Sequence, residues 1–569
     1  MTRHMVNFLK KKENFVPIIL FILAVLPFLF NLHNFFLSDD WDFLTQVAGP
    51  HQPLWRYFFT NYVGTHAGGS YRPLVVWFWA FCHHFFQLNY FYYHLLQIFF
   101  HSANVVLLYF IINNFFWPKE KTDRFILATA STALFALLPN HAEAVAWLAA
   151  VADPLCTFFY LASLLSLLFC LKYSRAKYWL YDFSLIFFLA ALFTKEMAMS
   201  LPFIVSIFVI YYWWQNRSDV KAMKILLVIP YFIILAGYFW LRYRAIGLFF
   251  GYYGGDQNLH FGLAKTAAAY FDIITSFVLS DKLRTIVSLW LNNHAAIILI
   301  IFILLLAVLI GLTVKKKWSA WPWLVFLSLL VSLVPVASLG INLTKTYFSE
   351  EGERYGYLPS LFFAVLLAAG IVAVGKKIKN KLSLRIIYFI IIFFIAVGLA
   401  DQLIVKNWRF EQAGAAAKQA LQGAVTAMKQ GNYQGVLFFG LPDNFHGAPI
   451  FRNGFAEAVK FYLAEPPIIL APFSRSAYET GQKFAVEKIN QSDYNYYNVK
   501  AAKVILAQPT FSSADYSTAL NNFVFDQAGI NDRYFGSRLA ISLSPGLATN
   551  PRVALFFWTG GNWLILPAK

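Results

Sequence analysis

This sequence predicts a polytopic α-helical membrane protein with a C-terminal soluble α/β or α+β domain, and three observations carry that expectation. Of 569 residues, 59% are hydrophobic and only 13% charged, whereas a soluble domain carries about 25% charged residues. Apolar runs of roughly 20 residues, long enough to span a bilayer, recur from Phe15 to Val405. Beyond Val405 these runs stop, and short apolar segments bounded by Gly, Pro and Asn replace them. The expected division is residues 1–405, a transmembrane domain of about eleven helices, and residues 406–569, an extracytoplasmic domain.

The net charge of +18 would suggest nucleic acid in a soluble chain. Here the Lys and Arg residues fall in short clusters between apolar runs, as the positive-inside rule requires. The three cysteines, Cys82, Cys156 and Cys170, lie in or beside apolar runs. Neither a disulfide framework nor a thiolate metal site is expected.

Arg3 and Lys10 to Lys12 precede the first span, Phe15 to Leu37. They place the N-terminus inside and Asp39 outside, and with no small-residue cleavage site the span reads as retained. An outer loop with glycines near Gly68-Gly69 leads to Tyr71-Arg72-Pro73 and an aromatic run to Phe86, read as an interfacial helix. Span two (Tyr90 to Trp117) returns to the basic stretch Lys119 to Arg124. Span three runs from Phe125 to Leu138 and span four from Ala149 to Lys172. Spans five (Trp179 to Phe193) and six (Ala198 to Trp214) are joined by Thr194-Lys195-Glu196-Met197. Span seven ends near Trp240, and Gly251 to Gly255 reads as a loop. Span eight (Ala295 to Val314) meets Lys315 to Lys317, span nine covers Trp321 to Leu339, span ten ends at Lys376, and span eleven covers Ile386 to Val405. Even-numbered returns land on Lys/Arg clusters and odd-numbered exits do not. Beyond them, Phe410 to Met428 reads as an Ala-rich helix, and Gly435–Leu441, Lys503–Ala507, Arg538–Leu543 and Val553–Thr559 read as strands.

That topology puts several charged residues at the outer ends of spans: Asp39, Asp40, Arg72, His141, Glu143, Asp153, Lys195, Glu196, Glu353 and Arg354. An ionisable residue at membrane depth costs about 2.5–3.5 kcal/mol by insertion scales and usually marks a functional site. Each has a plainer reading. Asp39 can simply end a helix, Asn140 and Glu143 can form a capping box, and Lys195-Glu196 can be a solvated hairpin tip.

The residues also carry a resemblance. Asp39-Asp40, Tyr71-Arg72-Pro73-Leu74, Leu138-Pro139-Asn140-His141-Ala142-Glu143-Ala144-Val145-Ala146-Trp147, Ala152-Asp153, Thr194-Lys195-Glu196 and Glu353-Arg354-Tyr355-Gly356-Tyr357-Leu358-Pro359-Ser360 follow in order. Together they resemble the membrane half of GT-C glycosyltransferases, in particular the transmembrane O-mannosyltransferases with TPR repeats and their bacterial relatives. The resemblance covers roughly Phe15 to Val405. It departs at Val151-Ala152-Asp153, where relatives tend to have Gly-Arg before the acid. It departs again after Val405, where no 34-residue helical repeat is visible.

The resemblance implies transfer of a sugar, with inversion, from a polyprenyl-phosphate-linked donor to a hydroxyl of a protein or glycan on the outer face of the membrane. The chemistry suits the residues. A carboxylate can take the acceptor's proton, with Asp40 placed first and Asp39 second. Arg354, Lys195 and Arg72 can meet the charge growing on the lipid phosphate. His141, Glu143, Asp153, Glu196, Glu353 and Tyr355 are candidates for binding or orienting substrate. No cofactor is required; a divalent metal held by Asp39 or Asp40, His141 and Glu143 is the alternative. The absence of cysteine after Val405 and of helical repeats points to a bacterial inner membrane, with site and C-terminal domain facing the periplasm. Two glycosylation sequons, Asn342-Leu343-Thr344 and Asn490-Gln491-Ser492, would matter only in a eukaryotic host. The rival reading is a transporter or flippase of a lipid-linked or anionic substrate. It predicts mid-span charges and inverted repeats, and neither is evident.

Overall fold

The computed structural model describes residues 15–49, 53–61, 70–115, 121–172, 178–215, 226–249, 263–280, 283–284, 286–287, 290, 294, 321–337, 352–378, 382–467, 469–472, 475–477, 484–489, 493–498, 504–505, 534–535, 538–542 and 552–567. Span eight, residues 62–69 of the outer loop, Gly251 to Gly255 and both sequon asparagines lie outside these residues. The chain divides into two units: residues 1–32 with 50–407, and residues 33–49 with 408–569.

The described helices of the first unit are α1 (Phe15–His33, continuing one residue beyond the unit), α3 (Pro73–Phe86), α4 (Tyr90–Phe115), α5 (Lys121–Leu137), α6 (His141–Ala146), α7 (Ala152–Lys172), α8 (Tyr178–Thr194), α9 (Leu201–Gln215), α10 (Ile229–Ile246), α11 (Leu263–Ser276), α12 (Trp321–Ala337), α13 (Tyr357–Lys377) and the first part of α14 (Leu382–Gln430). Seven described helical stretches are long and apolar enough to cross a membrane: Phe15–His33, Tyr90–Phe115, Leu148–Lys172, Glu196–Trp214, Leu226–Ile246, Glu353–Gly375 and Ile386–Gln430. They correspond to spans one, two, four, six, seven, ten and eleven, and the chain is a multi-pass membrane protein. Spans five and nine are shorter apolar helices, and so is Pro73–Phe86. Span three is the 17-residue α5, whose first turn holds Asp123.

Helices α4, α5, α7 and α13 pack on one another, α8 lies along α7, and α12 lies along α13. Lipid supplies no hydrophobic drive between helices, so polar side chains tie them together, at about 0.6 kcal/mol each. Asn104 Nδ2 donates to the Pro154 carbonyl at 2.8 Å. Ser163 Oγ donates to the Ser184 carbonyl at 2.7 Å. Gln97 Nε2 donates to the carbonyls of Ala144 and Trp147, both at 2.7 Å, fixing the turn after α6. Apolar side chains cover the outside, among them Ile18, Ile19 and Ile22 on α1 and Phe389, Phe393 and Phe394 on α14. On α3, Val75, Val76, Trp79 and Cys82 are buried while Trp77, Phe81 and Phe85 are exposed.

Helix α14 corrects one expectation. Instead of span eleven followed by a separate Ala-rich helix, a single 49-residue helix runs from Leu382 to Gln430. No Gly or Pro separates Val405 from Phe410, so nothing in the backbone stops the hydrogen-bond ladder.

The second unit holds α2 (Asp40–Ala48), the rest of α14, α15 (Phe455–Tyr462) and three sheets. One sheet orders β12 (Trp563–Pro567), β11 (Val553–Trp558), β1 (Gly435–Phe439) and β4 (Ile469–Pro472). Strand β1 is parallel to both β11 and β4, and β12 is antiparallel to β11. Every residue of β1 and β11 is buried, as expected for parallel strands covered on both faces. Phe438, Phe556 and Trp563 pack edge to face or tilted, and Trp563 Nε1 donates to the Ala420 carbonyl of α14 at 2.8 Å. A second sheet runs β3 (Ala448–Pro449), β2 (Leu441–Phe445), β5 (Arg475–Ala477), β8 (Val504–Ile505) and β9 (Tyr534–Phe535). The third runs β10 (Arg538–Ser542), β7 (Asp493–Asn498) and β6 (Phe484–Lys488), all antiparallel. The predicted mixture of helix and strand in this region, α/β or α+β, is thus what the described residues have.

Candidate active site

In the first unit, α5 ends just before Pro139, which disfavours helix at the preceding residue, and the chain restarts as α6 at His141. Asn140 precedes α6 but makes no side-chain cap, so the capping-box alternative does not describe Glu143. The Glu143 carboxylate instead accepts hydrogen bonds from the backbone N–H of Gly352 (3.2 Å) and of Arg354 (2.8 Å), and pairs with the Arg354 guanidinium. A buried carboxylate is stable only with such partners. Gly352 adopts φ +88, a left-handed conformation that glycine takes without strain; the turn Glu353–Gly356 then leads into α13.

Asp153 lies in the first turn of α7, and Lys195 follows the end of α8. Lys195 Nζ bonds both Asp153 oxygens at 2.6 Å, with the two side chains only 4% and 3% exposed. The same Nζ stands 4.8 Å from the centre of the Tyr355 ring. Arg354 Cζ stands 4.9 Å from that ring and 4.8 Å from the Trp147 ring, within cation–π range. Two cations from segments far apart in the chain thus meet on one aromatic ring.

Glu196, beside Lys195, takes Arg72 Nη2 at 3.0 Å and Nε at 3.3 Å on one oxygen, and Arg242 Nη1 at 3.3 Å on the other. Asp153 interacts electrostatically with Arg354 and Arg72 as well as with Lys195, so these pairs form one neighbourhood. Its four cations, Arg72, Lys195, Arg242 and Arg354, face three carboxylates, Glu143, Asp153 and Glu196. These contacts carry a formal excess of one positive charge. The Arg354 side chain is the most open of the four, at 21%, followed by Arg72 at 14%.

Glu353 turns to a different set. It pairs with Arg284 Nη1 at 2.8 Å and with Lys406 Nζ at 2.7 and 2.8 Å, and Arg284 Nε lies 3.7 Å from Asp272. His141 Nε2 lies 2.9 Å from Ser360 Oγ, and its ring packs on Tyr357 and His101. Burial, with His101 beside it, holds this imidazole well below its ordinary range, so it is neutral. Among the described residues, no three His, Cys, Asp or Glu side chains are gathered as a metal site.

Arg242, Arg284, Lys406 and Asp272 were not singled out from sequence, and Trp147 was read only as part of the motif from Leu138. Arg242 and Lys406 carried a usable signal. Each is a cation at the end of a span that the charge bias assigns to the outer side, where few cations are expected.

Asp39 and Asp40 belong to the second unit. Asp40 is 1% exposed and its Oδ2 accepts the Leu37 N–H at 2.8 Å. Asp39 is only partly buried. Its Oδ1 accepts from Asn453 Nδ2 at 2.8 Å and Ser38 Oγ at 3.2 Å, and among the described residues no hydrogen bond falls on Oδ2. Trp41 packs among Phe35, Phe36, Phe461 and Tyr462.

No family model matches the chain, and no curated protein does. Among solved structures, ArnT from Cupriavidus metallidurans, bound to undecaprenyl phosphate, is similar over 94% of this chain and 99% of its own, at 11% identity and a TM-score of 0.40. What this chain does is therefore read from its own residues.

Proposed function

We propose that this chain is a membrane glycosyltransferase of the GT-C type. It moves a hexosyl group, of which mannosyl is one case, from a polyprenyl-phosphate donor to a protein or glycan hydroxyl, with inversion, at the periplasmic face of a bacterial inner membrane. One observation supports this most directly: Lys195 and Arg354 converge on Tyr355, each with its own carboxylate. Arg72, Trp147, Asp153, Lys195 and Arg354, far apart in sequence, meet there, and the ion pairs described above join four cations to three carboxylates.

The acceptor oxygen attacks the anomeric carbon as the bond from that carbon to the phosphate oxygen breaks. The proton passes to a carboxylate, which we assign to Asp39 on its partial exposure and its Oδ2 without a hydrogen bond among the described residues. Asp40, buried and engaged with the Leu37 N–H, shapes the turn instead. Charge gathers on the departing lipid phosphate, and preorganised cations stabilise it. Arg354 and Arg72, the most open cations, are assigned to the phosphate, and the sealed Lys195–Asp153 pair sets the local potential. Glu143, Glu196 and Tyr355 hold these groups in place, while His141 and Glu353 brace neighbouring turns through Ser360 and through Arg284 and Lys406.

The test is mass spectrometry of undecaprenyl-phosphate-mannose incubated with the purified chain, with and without a chelator. Release of undecaprenyl phosphate supports the reading, and the chelator arm decides whether a metal takes part. No turnover, together with movement of the lipid between leaflets of a vesicle, would refute it in favour of transport.

A further inference from the structure

The turn Phe451-Arg452-Asn453-Gly454 has no role in the chemistry above, yet its contacts centre on the acidic segment. Ser38, 1% exposed, adopts φ +44, a left-handed conformation uncommon for a residue with a side chain. Its N–H donates to the Ile450 carbonyl at 2.8 Å, and its hydroxyl accepts the Asn453 N–H at 3.2 Å. The Asn453 side chain donates to Asp39 Oδ1 at 2.8 Å. Gly454, at φ +77, comes so close that a Cβ there would sit 2.4 Å from the Ser38 carbonyl oxygen and 2.9 Å from Trp41 Cβ. Only glycine fits at that point, on both conformation and space.

We propose that the Ile450–Gly454 turn is a positioning device for the base: it fixes Ser38 in its left-handed conformation and holds Oδ1 of Asp39, leaving Oδ2 to take the proton. Asn453 is a positioning residue, not a catalytic one, since it acts through Asp39. The inference rests on the assignment of Asp39 made under Proposed function.

The full-length chain in detergent is assayed for release of undecaprenyl phosphate from undecaprenyl-phosphate-mannose, with water as acceptor. Asn453→Asp is isosteric, so it keeps the packing while replacing the donor with a like charge. Expected is a roughly 10- to 100-fold fall in kcat with KM for the donor within about twofold, and a smaller fall for Asn453→Ala. Wild-type kcat in both variants would overturn the proposal, as would a loss confined to KM.

Hydrogen exchange at the amides of residues 39–41 is the readout that does not depend on turnover. Gly454→Ala and Asn453→Ala should both exchange faster there than wild type, and unchanged exchange would overturn the clamp. Failure of the underlying assignment is separate: Asp39→Asn with undiminished turnover removes Asp39 as the base, whatever the exchange shows.

Discussion

Replacing Asp153 by Ala tests the electrostatics of the first unit most severely. The Lys195 ammonium is 4% exposed and touches both Asp153 oxygens at 2.6 Å. At an effective dielectric near 20, charges at that separation attract by roughly 6 kcal/mol, much of it offset by desolvation. Removing one partner strands the other, and breaking buried pairs costs about 3–5 kcal/mol. At roughly 2 °C per kcal/mol for a large chain, Asp153→Ala should lower the thermal midpoint by about 6–10 °C. Tryptophan fluorescence of the detergent-solubilised protein reads this. The double variant Asp153→Leu with Lys195→Met removes both charges and should regain most of the loss, because apolar replacement of a whole buried pair is often neutral. A single variant within about 2 °C of wild type, or a double variant as unstable as the single, would refute the reasoning.

Arg354→Ala removes a guanidinium shared by Glu143, Tyr355 and Trp147; undecaprenyl phosphate binding should weaken by about tenfold or more, since a charge-assisted hydrogen bond contributes about 1.5–3 kcal/mol. Arg354→Lys should not restore it, because a point charge lacks the planar fork; unchanged affinity in the Ala variant would remove Arg354 from the phosphate site. Gly356→Ala puts a Cβ 2.6 Å from the Phe277 ring and 3.2 Å from Ile273. Phe277 is itself packed on Phe363, so overpacking of about 1–3 kcal/mol should lower the thermal midpoint; a midpoint equal to wild type would show that the ring yields freely. In the second unit, burial first, then the charges of Asp39 and Glu457, pushes Asp42 up from 3.8 to about 7. The folded state therefore prefers the protonated acid, so this contribution to stability is full below pH 4 and lost as pH rises through 7. Unfolding midpoints should fall between pH 5 and pH 8, and Asp42→Asn should flatten that fall; an equal fall in both proteins would contradict it.

How much of this was legible beforehand varied by the physics involved. Apolar run length is a one-dimensional quantity, and seven of the long helices were readable from it. The parallel strands Gly435–Phe439 and Val553–Trp558 were readable from their unbroken apolar composition. Partner choice was not. Glu143 followed Asn140 at capping-box spacing, yet its carboxylate found donors more than 200 residues away in Gly352 and Arg354. Arg284 pairs with Asp272 and Glu353, and Lys406 with Glu353, through space and with no shared motif. The grouping of residues 33–49 with the C-terminal unit depends on backbone bonds such as Ser38 to Ile450, which span more than 400 residues and leave no local pattern.

The two adjacent aspartates differ in a way that selection would register. Asp40 accepts the Leu37 amide inside a closed turn, and for that bond Asn offers an oxygen of the same reach. The role proposed for Asp39, taking a proton, is one that Asn cannot perform at all. On the proposed roles, the bond from Leu37 asks position 40 only for an acceptor oxygen while proton transfer asks position 39 for an acid, so the doubled letter answers two separate requirements.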